Sequence, residues 1–155
     1  MANSAALRKV DQTGLKVGQA LTIALLLLGF ILDSPLLVLV VAAAQLAGAL
    51  DLPLAPYRLF YQNVVKPSGI ARPRVIADNP EPHRFAMLLG AIFNGIGFLL
   101  LLSGSGAGWI PVWIVIALAN LNFWLNFCAG CWMYYQFNRL GIPGFTQARL
   151  SADQP

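Results

Sequence analysis

Cys128 and Cys131, the two cysteines of the chain, stand two residues apart in the stretch NFCAGCWMYYQF, residues 126–137. A Cys-x-x-Cys pair is open to three readings. As dithiol and disulfide it exchanges two electrons with another thiol pair. As two thiolates it supplies half of a tetrahedral zinc shell. As two small apolar side chains it packs in a greasy helix and does no chemistry. His83 is the sole histidine, and one His with two Cys does not fill a four-ligand shell unless two chains share their thiolates. No metal or other cofactor is therefore expected. His83 reads as an ordinary loop residue beside Arg84. Asp78 and Glu81 lie in a proline-broken stretch that gives no reason to pair them as acid and base. No phosphate-binding glycine loop and no Ser-His-Asp set is present, so Cys128 and Cys131 are the candidate catalytic residues.

The elements that must position the pair follow from composition. Of 155 residues, 58% are hydrophobic and 10% charged, where a soluble domain carries about 25% charged residues. A chain this short cannot cover so much apolar surface with its own polar groups, so its solvent is lipid. Apolar runs of about 18 to 20 residues are needed to cross about 30 Å of hydrocarbon. They place four spans at about 15–32, 35–52, 85–102 and 109–134, with the small-residue turn SGSGAG at 103–108 dividing the last two. The first run is read as a retained helix and not a cleaved leader. The expected fold is all-α: a single membrane domain over 1–155, a four-transmembrane-helix bundle with a proline-rich cytoplasmic loop at 53–84.

All ten Lys and Arg residues fall before or at the very start of the first span (Lys16), between the second and third, or after the fourth, and the short hairpins at 33–34 and 103–108 carry none. The positive-inside rule then puts both termini and the loop in the cytoplasm. With a net charge of +4, nucleic acid is not an implied partner; the lipid bilayer is. PYRLFYQNVVK, residues 56–66, reads as a short interfacial helix ending before Pro67. The following PSGIARPRVIADNPEPHRF reads as irregular, its Arg72, Arg74 and Arg84 meeting anionic headgroups or a cytoplasmic partner. Among the small-residue motifs are Gly14-x-x-x-Gly18, Ala44-x-x-x-Gly48 and Ala86-x-x-x-Gly90. With the amides Asn94, Asn120 and Asn126, they are expected to face other helices.

A continuous fourth helix sets the cysteines near its C-terminus at the inner membrane boundary. There the negative end of the helix dipole disfavours a thiolate. Helical i, i+3 Cβ atoms stand about 5 to 6 Å apart, while a disulfide needs about 3.8 Å; Gly130 is the one place where the turn can open.

RPRVIADNPEPHRFAMLLGAIFN, residues 72–94, with FCAGCWMYY, residues 127–135, resembles a bacterial family of small four-helix inner-membrane proteins known as a domain of unknown function. The likeness covers about Val10 to Phe145. Its marks are the turn Pro82-His83-Arg84-Phe85-Ala86 and a Cys-containing fourth helix. Members are associated with thioredoxin-like and rhodanese-like proteins, sometimes as fusions, although no such domain is attached here. The resemblance implies thiol or sulfur chemistry at the membrane with a separate thioredoxin-like or sulfurtransferase partner. Three functional classes stand open: a thiol-redox or sulfur-relay component, a non-catalytic subunit of a larger membrane complex or homo-oligomer, and a small-solute channel.

Overall fold

The structure, a computed structural model, describes residues 9–145; Arg8 and Arg149 of the charge pattern lie outside them. The chain is predominantly helical, in the order β1 (Lys9–Asp11), α1 (Gln12–Ile31), α2 (Pro35–Ala49), α3 (Pro56–Phe60), a π turn (Tyr61–Val65), α4 (Lys66–Ser68), β2 (Val75–Ala77), α5 (Pro80–Leu102), a 3₁₀ turn (Gly106–Gly108), α6 (Trp109–Leu125) and α7 (Ala129–Arg139). Three helical stretches are long and apolar enough to cross a membrane: 12–31, 80–102 and 106–125. Helix α2 is apolar but only 15 residues long.

The core joins α1, α2 and α6 through Leu26, Val38, Val41, Val112, Val115 and Ile116, with Phe93 and Phe98 of α5 packed against it. Elsewhere α2 lies along α5. Between them the buried Asn94 amide donates to Gln45 Oε1 at 2.9 Å; a buried amide without such a partner would be costly. Leu36, Leu99 and Ile110 point outward, each more than 60% exposed. This is the inside-out economy expected of helices whose solvent is hydrocarbon.

The two short hairpins occupy one end of the bundle, where Phe30 meets Trp109 and Trp113 edge-on at 5.2 Å. Among the described residues, the short strands, the interfacial helix and α7 gather at the other end. There Asp11 caps α1, accepting from Thr13 N–H at 3.0 Å and from the Tyr61 hydroxyl at 2.6 Å. Burial, then the hydrogen bond to Asp11 and its charge, push the Tyr61 phenol up to about 12. Gly14 and Gly18, read as a helix–helix face, instead receive the rings of Tyr61 and Tyr57.

Three expectations need correction at this end. Residues 75–77 are not irregular: they pair antiparallel with residues 9–11, Val10 opposite Ile76. Helix α5 starts at Pro80, not near Phe85, because the first four N–H groups of a helix have no intrahelical partner, so Pro80 and Pro82 sacrifice nothing there. The interfacial helix does not stop before Pro67 but continues to Ser68. The ring of Pro67 disrupts α-helical bonding to the preceding turn, and the π turn just ahead of it relaxes that geometry.

The largest correction concerns the last apolar stretch. It is not one helix over 109–134: α6 ends at Leu125, Asn126 adopts a left-handed conformation (φ 54°, ψ 26°), and α7 begins at Ala129. Asparagine is one of the few residues that enters this region at low cost, and it serves as a helix terminator much as glycine does. Phe127 and Cys128 lie in the break between the two helices.

Candidate functional site

The break reverses the electrostatic setting of the cysteines. Cys128 is extended (φ −89°, ψ 104°) and is the N-cap of α7, its sulfur accepting from the Cys131 N–H at 3.2 Å. Cys131 ends the first turn, 9% exposed. The pair is therefore at a helix N-terminus and not, as the continuous-helix expectation had it, near a C-terminus. Unpaired backbone N–H groups and the positive end of the helix dipole there stabilise negative charge on sulfur. The extended Cys128 also removes the geometric objection to a disulfide. The i, i+3 separation of Cβ atoms applies within a helix, and Cys128 precedes this one. Cys128 and Cys131 form a disulfide, their Cα atoms 5.2 Å apart.

Helix α7 is held against the start of α5. A Cβ placed on Gly130 would lie 2.6 Å from the Ala86 Cβ and 2.7 Å from its Cα, so the two backbones touch. Around this contact Phe85 packs on Tyr134 at 5.8 Å and on Phe137 at 6.1 Å, and Phe145 closes on both Tyr134 and Phe137. Gly130 thus serves for close approach, and no opening of the turn is required of it.

The docking brings in a residue that had been taken for an ordinary loop histidine. His83 lies in the first turn of α5, with Nδ1 3.5 Å from Cys131 Sγ and Nε2 2.9 Å from Asp78 Oδ2. Both His83 and Asp78 side chains are about four-fifths buried. An ionised carboxylate only accepts hydrogen bonds, so Nε2 carries the proton in the Asp78 contact, and in the neutral ring Nδ1 presents its lone pair to sulfur. The available signal in the sequence was Ala86 and Gly130, two small residues suited to helix contact, which together bring the histidine turn under the cysteine turn.

His83 Nδ1 and the two sulfurs lie within 4.8 Å of one another. Three donors leave a four-ligand zinc shell incomplete, and the disulfide takes up two of them.

The other sequence-nominated residues are dispersed. Arg84 turns inward, its Nε donating to the Ala49 carbonyl at 2.8 Å, and so caps the C-terminus of α2. Arg72 and Arg74 are exposed, and their backbone is tied to α1: Thr13 Oγ1 donates to the Arg72 carbonyl at 2.8 Å and accepts from the Arg74 N–H at 3.0 Å. Asn120 donates to the Ile116 carbonyl of its own helix at 2.9 Å. Asn94 binds Gln45, and Asn126 makes the break that presents the cysteines. None of these three amides lies in the sulfur site.

No curated protein and no solved structure is significantly similar to the chain. Residues 10–139 match the family described as "Domain of unknown function (DUF4395)", and the chain belongs to that family.

Proposed function

We propose that this is a multi-pass protein of the bacterial cytoplasmic membrane whose Cys128–Cys131 pair exchanges reducing equivalents, or passes a sulfur atom, with a cytoplasmic thioredoxin-like or sulfurtransferase protein. The observation that carries the reading is the placement of the pair at the N-terminus of α7, with the disulfide formed and His83 against it. The membrane part of the reading makes α2 the fourth crossing. Its 15 residues span about 22 Å, and the exposed apolar residues Leu32, Leu50 and Leu52 extend it at both ends. The lysine-free and arginine-free hairpins lie at one end of the bundle, and the basic 53–84 segment shares the other end with the cysteines. By the positive-inside rule the sulfur site then sits at the cytoplasmic headgroup level. Arg72 and Arg74, exposed at that end, are the residues for lipid headgroups or the partner, and Arg84 keeps its structural bond.

Thiol–disulfide exchange passes through a mixed disulfide, which gives the test. Cys128 is the more accessible thiol and attacks the partner; Cys131 resolves the adduct. In membranes from cells expressing Cys131→Ser, a reductant-sensitive adduct between Cys128 and a cytoplasmic thiol protein should accumulate. Cys128→Ser should form none. If neither variant yields an adduct dependent on Cys128, or the adduct forms equally with Cys128→Ser, the exchange reading is wrong.

A further inference from the structure

We infer that His83 is the general base for disulfide closure in this pair: it removes the proton from the Cys131 thiol, and Asp78 is the positioning residue that holds its ring in the required tautomer. The inference rests on the thiol-exchange reading above and assigns the proton that the reading leaves unplaced.

The need for such a group comes from the burial of Cys131. Cys128 sits at the helix N-cap, partly exposed, and accepts the Cys131 N–H. Those features favour charge on Cys128 and make it the attacking sulfur. Cys131 is 9% exposed, so water has little access to take its proton. It still has to become a nucleophile, or the mixed disulfide on Cys128 stays unresolved. Among the described residues, the side chain that brings a basic nitrogen to its sulfur is His83, at 3.5 Å.

The steps balance as follows. Cys128 thiolate attacks one sulfur of a partner disulfide; the Cys128–partner bond forms, the partner's S–S bond breaks, and the first partner thiolate leaves. The Cys131 S–H proton passes to His83 Nδ1, giving an imidazolium whose Nε2–H remains on Asp78 Oδ2. Cys131 thiolate then attacks Cys128 Sγ, the intramolecular disulfide forms, and the second partner thiolate leaves, taking a proton from the imidazolium or from water. The chain's dithiol is oxidised by two electrons and the partner's disulfide is reduced by the same two. In the reverse direction the imidazolium returns the proton to Cys131.

Among the described residues, the charged and titratable groups around His83 are Asp78 in the preceding loop, Glu81 and Arg84 on its own helical turn, Cys128 at the N-cap of α7 and Cys131 in its first turn. The Arg84 guanidinium is bound to the Ala49 carbonyl.

The test uses the reduced full-length chain and one equivalent of the chromogenic disulfide dithiobis(nitrobenzoate). Attack by Cys128 releases one coloured thiolate, and closure by Cys131 releases the second, so the two steps appear as separate phases. A free thiol is only about 3% ionised at pH 7, which sets the scale of a lost base at roughly thirtyfold. His83→Ala should slow the second phase selectively, by about ten- to thirtyfold at pH 7, and regain most of the native rate near pH 9.5, where hydroxide takes over the role of the base. Asp78→Asn should slow the second phase in the same pH-dependent way by a smaller factor. A second phase unaffected by His83→Ala, or slowed equally at both pH values, would overturn the role of His83. Native protein that releases only one thiolate at every pH would instead overturn the exchange reading itself.

Discussion

Gly130→Ala should separate α7 from α5 and disable the sulfur site without touching a sulfur. The new methyl would lie 2.6 Å from the Ala86 Cβ and 2.7 Å from its Cα, well inside ordinary carbon–carbon contact of about 3.5 Å. Neither atom can rotate away, since one is backbone and the other is bonded directly to it. Helix α7 must therefore shift outward, and the ring contacts of Phe85, Tyr134, Phe137 and Phe145 shift with it. Overpacking of this kind costs about 1–3 kcal/mol, read as a lower denaturation midpoint. The shift also lengthens the contact between His83 and Cys131, so disulfide closure should slow as it does in His83→Ala. Ala86→Gly introduced alongside removes the methyl–methyl clash but leaves the Cα in place, and should restore part of both properties. Native stability with native closure in Gly130→Ala would mean that the two helices do not touch as described.

Gly108→Ala should cost as much stability or more while leaving the sulfur chemistry intact. A Cβ at Gly108 would stand 2.6 Å from the Gly97 carbonyl oxygen and 2.8 Å from the Leu101 backbone nitrogen. The reciprocal Cβ at Gly97 would stand 2.8 Å from the Gly108 carbonyl oxygen. The two glycines let the turn before α6 lie directly on the backbone of α5, at the hairpin end of the bundle. All the obstructing atoms but one are backbone, so relief requires moving the hairpin, and about 1–3 kcal/mol is again the expected loss. Distant sites with no shared partners act independently, so the closure rate in the surviving folded protein should equal that of the native chain. Slowed closure in Gly108→Ala would show that the two ends of the bundle are mechanically coupled.

The contrast between these substitutions also shows which parts of the molecule its residue order reveals. The apolar stretches read at 15–32 and 85–102, and the first part of that at 109–134, correspond to the long helices at 12–31, 80–102 and 106–125. They are legible because long uncharged runs stand out in the sequence. Asn94 was expected to face another helix, and its amide donates to Gln45 of α2, whereas Asn120 bonds within its own helix. Prolines were misleading in both directions. Pro80 and Pro82 suggested a loop, yet the first turn of a helix has no N–H bonds to lose. Pro67 suggested a stop, yet a π turn accommodates it.

The site was hidden by one residue. NFCAGCWMYY carries no charge, glycine–proline punctuation or polar cluster before the cysteines, so apolarity runs smoothly across the point where the helix breaks. Asn126 is the sole local cue, and an asparagine between Leu125 and Phe127 reads equally well as a helix-packing amide. Missing that break placed the cysteines at the wrong pole of a helix. His83 could not be joined to them by sequence, being 48 positions from Cys131. Their meeting depends on Gly130 lying against Ala86, a tertiary contact that no local pattern encodes.

The central claim is that Cys128 and Cys131 form one reversible two-electron couple. It is tested most directly by equilibrating the purified full-length chain in a graded series of dithiothreitol redox buffers, quenching with acid, and counting free thiols by a mass-tagging alkylator. Both thiols should disappear together at a single midpoint, with the reduced-to-oxidised ratio changing tenfold for about every 30 mV, as two electrons require. Thiols that stay alkylatable at every potential, or that titrate one at a time into bonds between chains, would contradict it and leave Cys128 and Cys131 as packing residues.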